Sequence, residues 1–213
     1  MSNLHTLMAR NNQITELIVS GLSQLTTLRV SGNTSLTKLY CINCALSSFE
    51  VTGCSAMTEL WCYNNQLSSL SVQGCTALTQ LLCYQNKISG SGMTTLVNSL
   101  PTRSASAPGM MYVVAKSNEA NTMTAAQIST ARSKYWYPKK QEGYTWVDLT
   151  ASLRGDVDGD GEVTISDVTA LIDYLLSGSA SGVDVNAADT DLSGSVDISD
   201  VTTLIDYLLK GRW

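Results

Sequence analysis

Apolar positions along the first 88 residues fall into one repeated pattern, apolar-x-x-apolar-x-apolar followed by a turn. It is written in LHTLMARNNQ from Leu4, ITELIVSGLSQ from Ile14, LTTLRVSGNTS from Leu25 and LTKLYCINCA from Leu36. It continues in LSSFEVTGCSA from Leu46, MTELWCYNNQ from Met57, LSSLSVQGCTA from Leu67 and LTQLLCYQNK from Leu78. Ten- and eleven-residue halves alternate to give a unit of 21 residues, broken once where two eleven-residue halves follow one another. Within each half the spacing points three apolar side chains inward from a short strand and places Asn or Cys where the backbone turns. The pattern predicts stacked coils with two short strands each.

The outward positions separate two kinds of surface. Aligned by sequence type, one class of strand reads Met8, Tyr40, Trp61, Leu82 and then Arg10, Ile42, Tyr63, Tyr84. The other reads Ile18, Arg29, Glu50, Ser71 and Ser20, Ser31, Thr52, Gln73. One face is therefore expected to be aromatic and the other polar. Tyr40, Trp61, Tyr63 and Tyr84 form a candidate ligand face for a protein or a glycan. The same residues also suit a sheet surface by propensity and cross-strand pairing alone.

The motif L-x-x-L-x-C/V-x-x-N/C-x-L resembles the leucine-rich repeats of Bacteroidetes surface proteins over residues 4 to 88. Its register also bears on the six cysteines: Cys41, Cys62 and Cys83 are equivalent at 21-residue intervals, as are Cys54 and Cys75, and Cys44 stands where Asn12, Asn65 and Asn86 stand. Buried free thiols are the expected state. Disulfides between stacked equivalents would need Cβ vectors that converge rather than run parallel, and no C-x-x-C pair is matched by a second pair or by His for zinc.

Residues 89–150 leave the 21-residue register. MTTLVNSLP predicts a helix stopped by Pro101, MMYVVA a buried strand, Thr124 to Gln127 a capping box opening a second helix, and YTWVDL a final strand. Longer, helix-backed repeats closing the C-terminal end of the coils are expected here. Trp136, Tyr137, Tyr144 and Trp146 are expected to serve as the capping core, with a sugar-binding cluster as the other reading.

At the end of the chain one helix is written twice. VTISDVTALIDYLL (163–176) returns as VDISDVTTLIDYLL (196–209), with twelve of fourteen residues unchanged. Each copy follows an acidic loop, DVDGDGEVTISD from Asp156 and DTDLSGSVDISD from Asp189. Carboxylates at loop positions 1, 3, 5 and 12, or 1, 3, 9 and 12, with glycine at position 6, have the spacing of an EF-hand loop, in which hard oxygens surround Ca²⁺. Two Ca²⁺ ions are expected. Candidate ligands are Asp156, Asp158, Asp160, Glu162 (through its carbonyl) and Asp167 in loop 1. Those in loop 2 are Asp189, Asp191, Ser193, Ser195 (through its carbonyl), Asp197 and Asp200.

Charge sharpens the division. Residues 1–150 hold ten Lys/Arg and six Asp/Glu, whereas residues 151–213 hold three and twelve, so the halves carry +4 and −9. Neither half suits a nucleic-acid partner. No run of 18 apolar residues exists to span a membrane, and MSNLHTL lacks the regions of a signal peptide, so an export signal and a coil cap are expected to lie upstream.

The paired loop-helix units, with Asp at position 12 and no incoming helix, closely resemble a type I dockerin over residues 153–213, the module that docks proteins onto cohesins. The resemblance implies an antiparallel helix pair with near two-fold symmetry. The inward stripe is expected at Val168, Leu171, Ile172 and Leu175, and at Val201, Leu204, Ile205 and Leu208. The resemblance places partner-binding residues at Ile165, Ser166, Asp173, Ile198, Ser199 and Asp206. Here they make an apolar and acidic face in place of a hydroxyl pair followed by basic residues. Trp213 is expected to clasp the domain's termini near Arg154.

The sequence thus predicts an α+β chain. A leucine-rich-repeat solenoid (1–88) would be closed by a helix-backed cap (89–150) and followed by a small all-α dockerin domain (151–213). The expected function is non-catalytic: a secreted or cell-surface protein whose repeats bind a protein or glycan and whose dockerin, loaded with Ca²⁺, meets a cohesin in a cellulosome-like polysaccharide-degrading assembly. The alternative is a Ca²⁺ domain acting as an internal cap with no cohesin. An enzyme is not expected: of the carboxylates before residue 151, only Glu59 lies beside the aromatic strip, and no nucleophile or metal-hydrolase motif is present.

Overall fold

The computed structural model describes residues 3–115, 119–149, 153–158, 162–179 and 183–213. The chain divides into two compact units, Met1–Thr150 and Ala151–Trp213.

In the first unit each half-turn of the pattern yields a strand of three residues. These are β1 (Thr6–Met8), β2 (Glu16–Ile18), β3 (Thr27–Arg29), β4 (Lys38–Tyr40), β5 (Ser48–Glu50), β6 (Glu59–Trp61) and β7 (Gln80–Leu82). Strands of alternate halves pair in parallel, which produces one sheet in the order β1-β3-β5 and a second containing β2, β4, β6 and β7. The central residue of most of these strands, such as Leu28, Leu39, Leu60 or Leu81, is fully buried between the sheets.

The irregular spacing is absorbed at one place. β1 pairs with β3 at an offset of 21 residues, but β2 pairs with β4 at 22, Ile18 lying opposite Tyr40. The additional residue falls in the turn after Gly21, which takes left-handed φ +76 where the next coil has Asn43 at φ +56. This corrects the outward columns. Met8 aligns with Arg29 and Glu50 on the polar sheet, and Ile18 leads Tyr40, Trp61 and Leu82 on the aromatic one. On the polar sheet Arg10 and Arg29 both reach Glu50, which holds its carboxyl below the usual range.

The three-stranded sheet stops at β5. The next half of that kind, residues 67–77, is met by helix α1 (Gly90–Ser99), which lies so close that a Cβ on Gly92 would stand 2.0 Å from the Ser68 carbonyl oxygen. Ser99 Oγ accepts from Val72 N at 3.0 Å, satisfying backbone that a strand would have paired. The other sheet continues through β8 (Gly109–Val114) and β9 (Trp136–Glu142), with α2 (Ala125–Ser133) between them, and ends on the antiparallel β10 (Thr145–Asp148). Lys134 Nζ caps the C-terminus of α1 by donating to the carbonyls of Val97, Asn98 and Leu100 at 3.1, 2.6 and 3.0 Å. Of the four aromatics expected in a capping core only Trp136 is fully buried, its Nε1 donating to Pro101 O at 2.8 Å, while Tyr144 is fully exposed.

The cysteines are all free thiols and fall into two structural roles. Cys41, Cys62 and Cys83 point into the core as apolar groups. Cys44, Cys54 and Cys75 stand at the turns and donate to carbonyls of the preceding coil, Val19 O, Val30 O and Val51 O, at 3.2, 3.4 and 3.3 Å. Burial pushes the thiols of the buried five up, Cys75 to about 12. Alkylation of the native chain at pH 8 is therefore expected to reach the half-buried Cys44 first and leave the other five unmodified, with all six reacting in guanidinium. Rapid labelling of Cys41, Cys62 or Cys83 without denaturant would contradict this packing.

The second unit contains α3 (Ile165–Ser177), the short α4 (Val185–Ala188) and α5 (Ile198–Lys210). α3 and α5 share a small core of Val168, Leu171, Val201 and Leu204, with Val157 and Ala188. Both helices open on a capping box, Thr164 with Asp167 and Asp197 with Asp200, and both close on a left-handed glycine, Gly178 and Gly211.

The expected class, α+β with a small all-α C-terminal domain, is corrected. The chain is mixed α/β, with two sheets of three and seven strands, and the larger sheet runs on through strands that alternate with helices. In the second unit, helices such as Ile198–Lys210 are set off by long acidic loops, so it is not an all-α domain. The physical reason is the loops: their backbone bends around clustered carboxylates instead of closing helical hydrogen bonds.

Candidate functional site

The duplicated loops place their first, third and twelfth residues together. Oxygens of Asp156, Asp158 and Asp167 lie within 4.8 Å of one another, as do those of Asp189, Asp191 and Asp200. In each loop the carboxylate at position 12 is completely buried and is oriented by the loop's own backbone. Asp167 Oδ1 accepts from Val157 N at 2.7 Å and Asp158 N at 3.1 Å, and its Oδ2 from Thr164 N at 2.7 Å. Asp200 repeats this, accepting from Asp191 N at 3.0 Å and Asp197 N at 2.8 Å. One residue thus closes the loop and caps the following helix.

The donor set fits calcium. Ligand oxygens at about 2.3–2.6 Å from one Ca²⁺ stand at most about 5 Å apart, which the observed spacing meets, and the donors are hard carboxylate oxygens with neither Cys nor His among them. Gly194 takes φ +90 at the sixth loop position, a left-handed turn that favours glycine. Without a cation the three carboxylates of each cluster repel one another, so the arrangement is complementary to a divalent ion.

The other expected ligands divide. Asp160 lies outside the described residues. Ser193 donates its N–H to Asp189 and Asp191 at 3.0 and 2.9 Å, and its hydroxyl to the Ser195 carbonyl at 3.2 Å, which keeps the residues at positions 5 and 7 beside the cluster. Glu162 is exposed. Asp197 stands apart as the N-cap of α5, its Oδ1 accepting from Ser199 N and Ser199 Oγ at 2.7 and 2.6 Å. Hydrogen bonds from Ser199 hold the carboxyls of both Asp191 and Asp197 below the usual range.

Beyond the loops, the helices carry a second feature. Ile165 is 71% exposed and Leu176 81%, and the equivalent Ile198 and Leu209 are 70% and 78%. Ile172 and Ile205, expected in the core, also face outward. The spacing explains why: positions 165, 169, 172 and 176 follow i, i+4, i+7, i+11 on one face of α3, while Val168, Leu171 and Leu175 form the neighbouring, inward face. Each helix therefore shows solvent the same apolar stripe, flanked by Ser166 and Asp173 on α3 and by Ser199 and Asp206 on α5. The helical period held the signal for Ile172, Leu176, Ile205 and Leu209.

Trp213 lies over Arg154, with the guanidinium carbon 4.2 Å from the ring centroid, and stacks on Tyr207 at 4.1 Å. Arg154 also donates to Thr190 O, through Nε at 2.8 Å and through Nη2. Gly155, at φ +89, leaves room for the ring: a Cβ there would stand 2.7 Å from it. Replacing Trp213 by Ala is expected to cost the domain about 1–2 kcal/mol from the lost stacking and cation–π contacts. Calorimetry in calcium would read this as a melting point lower by roughly 5–10 °C. A shift under 2 °C would show the clasp to be idle.

In the first unit the four candidate ligand-face aromatics form two stacks. Tyr40 lies on Trp61, and Tyr63 on Tyr84, each pair with centroids 4.4 Å apart. Tyr112 and Trp146, which sequence reasoning did not place here, extend the strip, Trp146 standing 5.1 Å from both Tyr84 and Tyr112. Nothing local in the sequence marks Trp146, since β8 and β9 separate its strand from β7. Glu59 beside the strip accepts from the Tyr40 hydroxyl at 2.6 Å and pairs with Lys38 at 3.2 Å, which keeps its carboxyl below the usual range.

Among the described residues no helix is long and apolar enough to cross a membrane. No curated protein and no solved structure gives a significant match to the chain. Residues 154–209, which hold both loops and both striped helices, match the family model of the dockerin type I domain, a calcium-binding, non-catalytic module whose partner is a cohesin.

Proposed function

We propose that this chain is a non-catalytic component of a secreted or cell-surface, cellulosome-like assembly that degrades polysaccharide. In this reading its calcium-loaded C-terminal unit docks onto a cohesin-bearing scaffold, and its repeat unit presents an aromatic strip to a partner. The observation that carries the docking reading is the pair of exposed stripes, Ile165–Ile172–Leu176 and Ile198–Ile205–Leu209, each on a helix whose first turn is fixed by a calcium-loop carboxylate. Solvent-facing isoleucine and leucine in duplicate have no role in the core the two helices share, and they suit a protein surface. Ser166, Asp173, Ser199 and Asp206 then form the polar rim.

The stacking geometry favours a protein over a sugar for the aromatic strip. A sugar ring packs its C–H face on a free aromatic face, but Tyr40 and Trp61 cover each other and lie between Ile18 and Leu82 in register. What remains outward are ring edges and polar tips, the mixture enriched at protein interfaces.

The test is capture by the full chain of secreted and surface proteins of its source, in Ca²⁺ and in chelator, followed by affinity measurement with the scaffold identified. Calcium-dependent capture of a cohesin-bearing protein is expected, weakened at least about 30-fold by Ile172→Arg combined with Ile205→Arg, with the melting point unchanged. No cohesin captured by calcium-loaded protein would sink the docking reading and leave the C-terminal unit as an internal structural cap.

A further inference from the structure

The three carboxylates gathered within residues 189–200 are held in place by different means. Asp200 is buried and accepts from the amides of Asp191 and Asp197 at 3.0 and 2.8 Å. Asp189 accepts from the amides of Ser193 and Gly194, both at 3.0 Å, one on each carboxylate oxygen. Asp191 is exposed, so fixing its side chain costs rotamer freedom that an anchor must offset. Its Oδ1 accepts from Ser193 N at 2.9 Å inside the loop, and its Oδ2 from Ser199 Oγ at 2.8 Å. Ser199 lies in the first turn of α5, next to Ile198, which is 70% exposed at the start of the apolar stripe. One side chain thus touches both a member of the metal cluster and the rim of the docking surface. Its N–H meanwhile caps the helix, donating to Asp197 Oδ1 at 2.7 Å, and its Oγ stands 2.6 Å from that same oxygen. Ionised carboxylates only accept, so the hydroxyl donates, and its single proton is shared between Asp191 in the cluster and Asp197 in the cap. Removing the hydroxyl leaves the N–H bond to the cap intact and takes away the anchor on Asp191 Oδ2.

We propose that Ser199 is a positioning residue for calcium, its hydroxyl holding Asp191 at the cluster so that a residue of the docking rim sets the affinity of residues 189–200 for the ion. The inference rests on the calcium-dependent docking reading and adds to it the side chain by which metal and partner surface are joined. A group that hydrogen-bonds a ligating carboxylate from outside the site fixes its orientation, and its loss costs about 10–100-fold in metal affinity. Events at the docking surface and at the loop are then linked, each changing the other's affinity by the same factor.

The experiment is a calorimetric titration of the full chain with Ca²⁺ against a competing chelator, repeated on two variants. In Ser199→Ala one ion is expected to bind about tenfold more weakly and the other to stay within about twofold of its affinity in the unaltered chain. Ser199→Thr keeps the hydroxyl and is expected to return the weakened ion to within about threefold. A merely structural role for Ser199 predicts a different result, because α3 and α5 share one core and a loosened unit would weaken both ions alike. Unchanged affinities in Ser199→Ala, equal weakening of both ions, or a threonine variant as weak as the alanine one would each overturn the proposal. Absence of any calcium heat from the unaltered chain would instead overturn the calcium reading itself.

Discussion

Chelating calcium is expected to unfold residues 151–213 and to leave the melting transition of the repeat unit in place. Among its described residues the second unit encloses only seven fully or nearly buried apolar side chains, Val157, Val168, Leu171, Ala187, Ala188, Val201 and Leu204, too few to hold about sixty residues comfortably. A domain of that size has roughly 3–9 kcal/mol of stability in total. Each calcium site contributes about 4 kcal/mol when the ion stands a thousandfold above its Kd, so two sites account for most or all of it. Removal of the ion leaves three like charges in each loop gathered around nothing, and the loops open. Asp167→Ala should have the same effect in the presence of calcium, because it strips the amides of Val157, Asp158 and Thr164 of their acceptor as well as deleting a ligand. Differential scanning calorimetry would show two transitions in Ca²⁺ and one in EGTA. Two transitions in EGTA would mean that the small core is sufficient and the ion is only an accessory.

That outcome was legible in the sequence because the rules that set a calcium loop are local. Oxygen donors at alternating positions, a left-handed glycine and a carboxylate in the first helical turn all lie within twelve residues, and the capping boxes at Thr124, Thr164 and Asp197 are equally local. What the sequence concealed depends on counting or on distant partners. The first two coils exchange their letters: Asn11 stands in the column of Gly32, Gly53 and Gly74, and Gly21 in that of Asn43 and Asn64. All of these residues take positive φ, so the backbone accepts either letter and only the strand offset reveals the exchange. A Cβ on Gly32 would stand 2.0 Å from Asn11 Oδ1, which places the two residues directly one above the other. Ile172 faces solvent, against the expected inward stripe, for a related reason. α3 has apolar residues on two adjacent faces, and which one enters the core is decided by α5, a helix with the same ambiguity.

Asn65→Ala is expected to be the most damaging single substitution among the turn residues of the repeat unit, at about 3–4 kcal/mol, or a melting point lower by roughly 10 °C. The side chain is almost fully buried and joins its own coil to the preceding one. Its Oδ1 accepts from Leu46 N at 3.0 Å, and its Nδ2 donates to Cys41 O of the preceding coil at 2.8 Å and to Cys62 O of its own at 3.0 Å. Asn86 and Asn121 repeat the arrangement toward the next coils, donating to Cys62 O and Cys83 O at 3.0 and 2.9 Å. Alanine would strand the buried Leu46 amide and the Cys41 carbonyl, Cys62 O keeping Asn86 Nδ2, and each stranded group costs about 1–3 kcal/mol. The chain itself supplies the control. Cys44, Cys54 and Cys75 occupy equivalent turns and keep the bond to the preceding coil through a thiol, so Asn65→Cys retains the donor and loses only the acceptor. It should recover about half of the loss, since the weaker S–H donor still reaches a carbonyl. Denaturant titration of the two variants decides the matter. Equal destabilisation by Ala and Cys would mean that the acceptor to Leu46 carries the stability, and that the turn cysteines are there as apolar filling instead of as donors between coils.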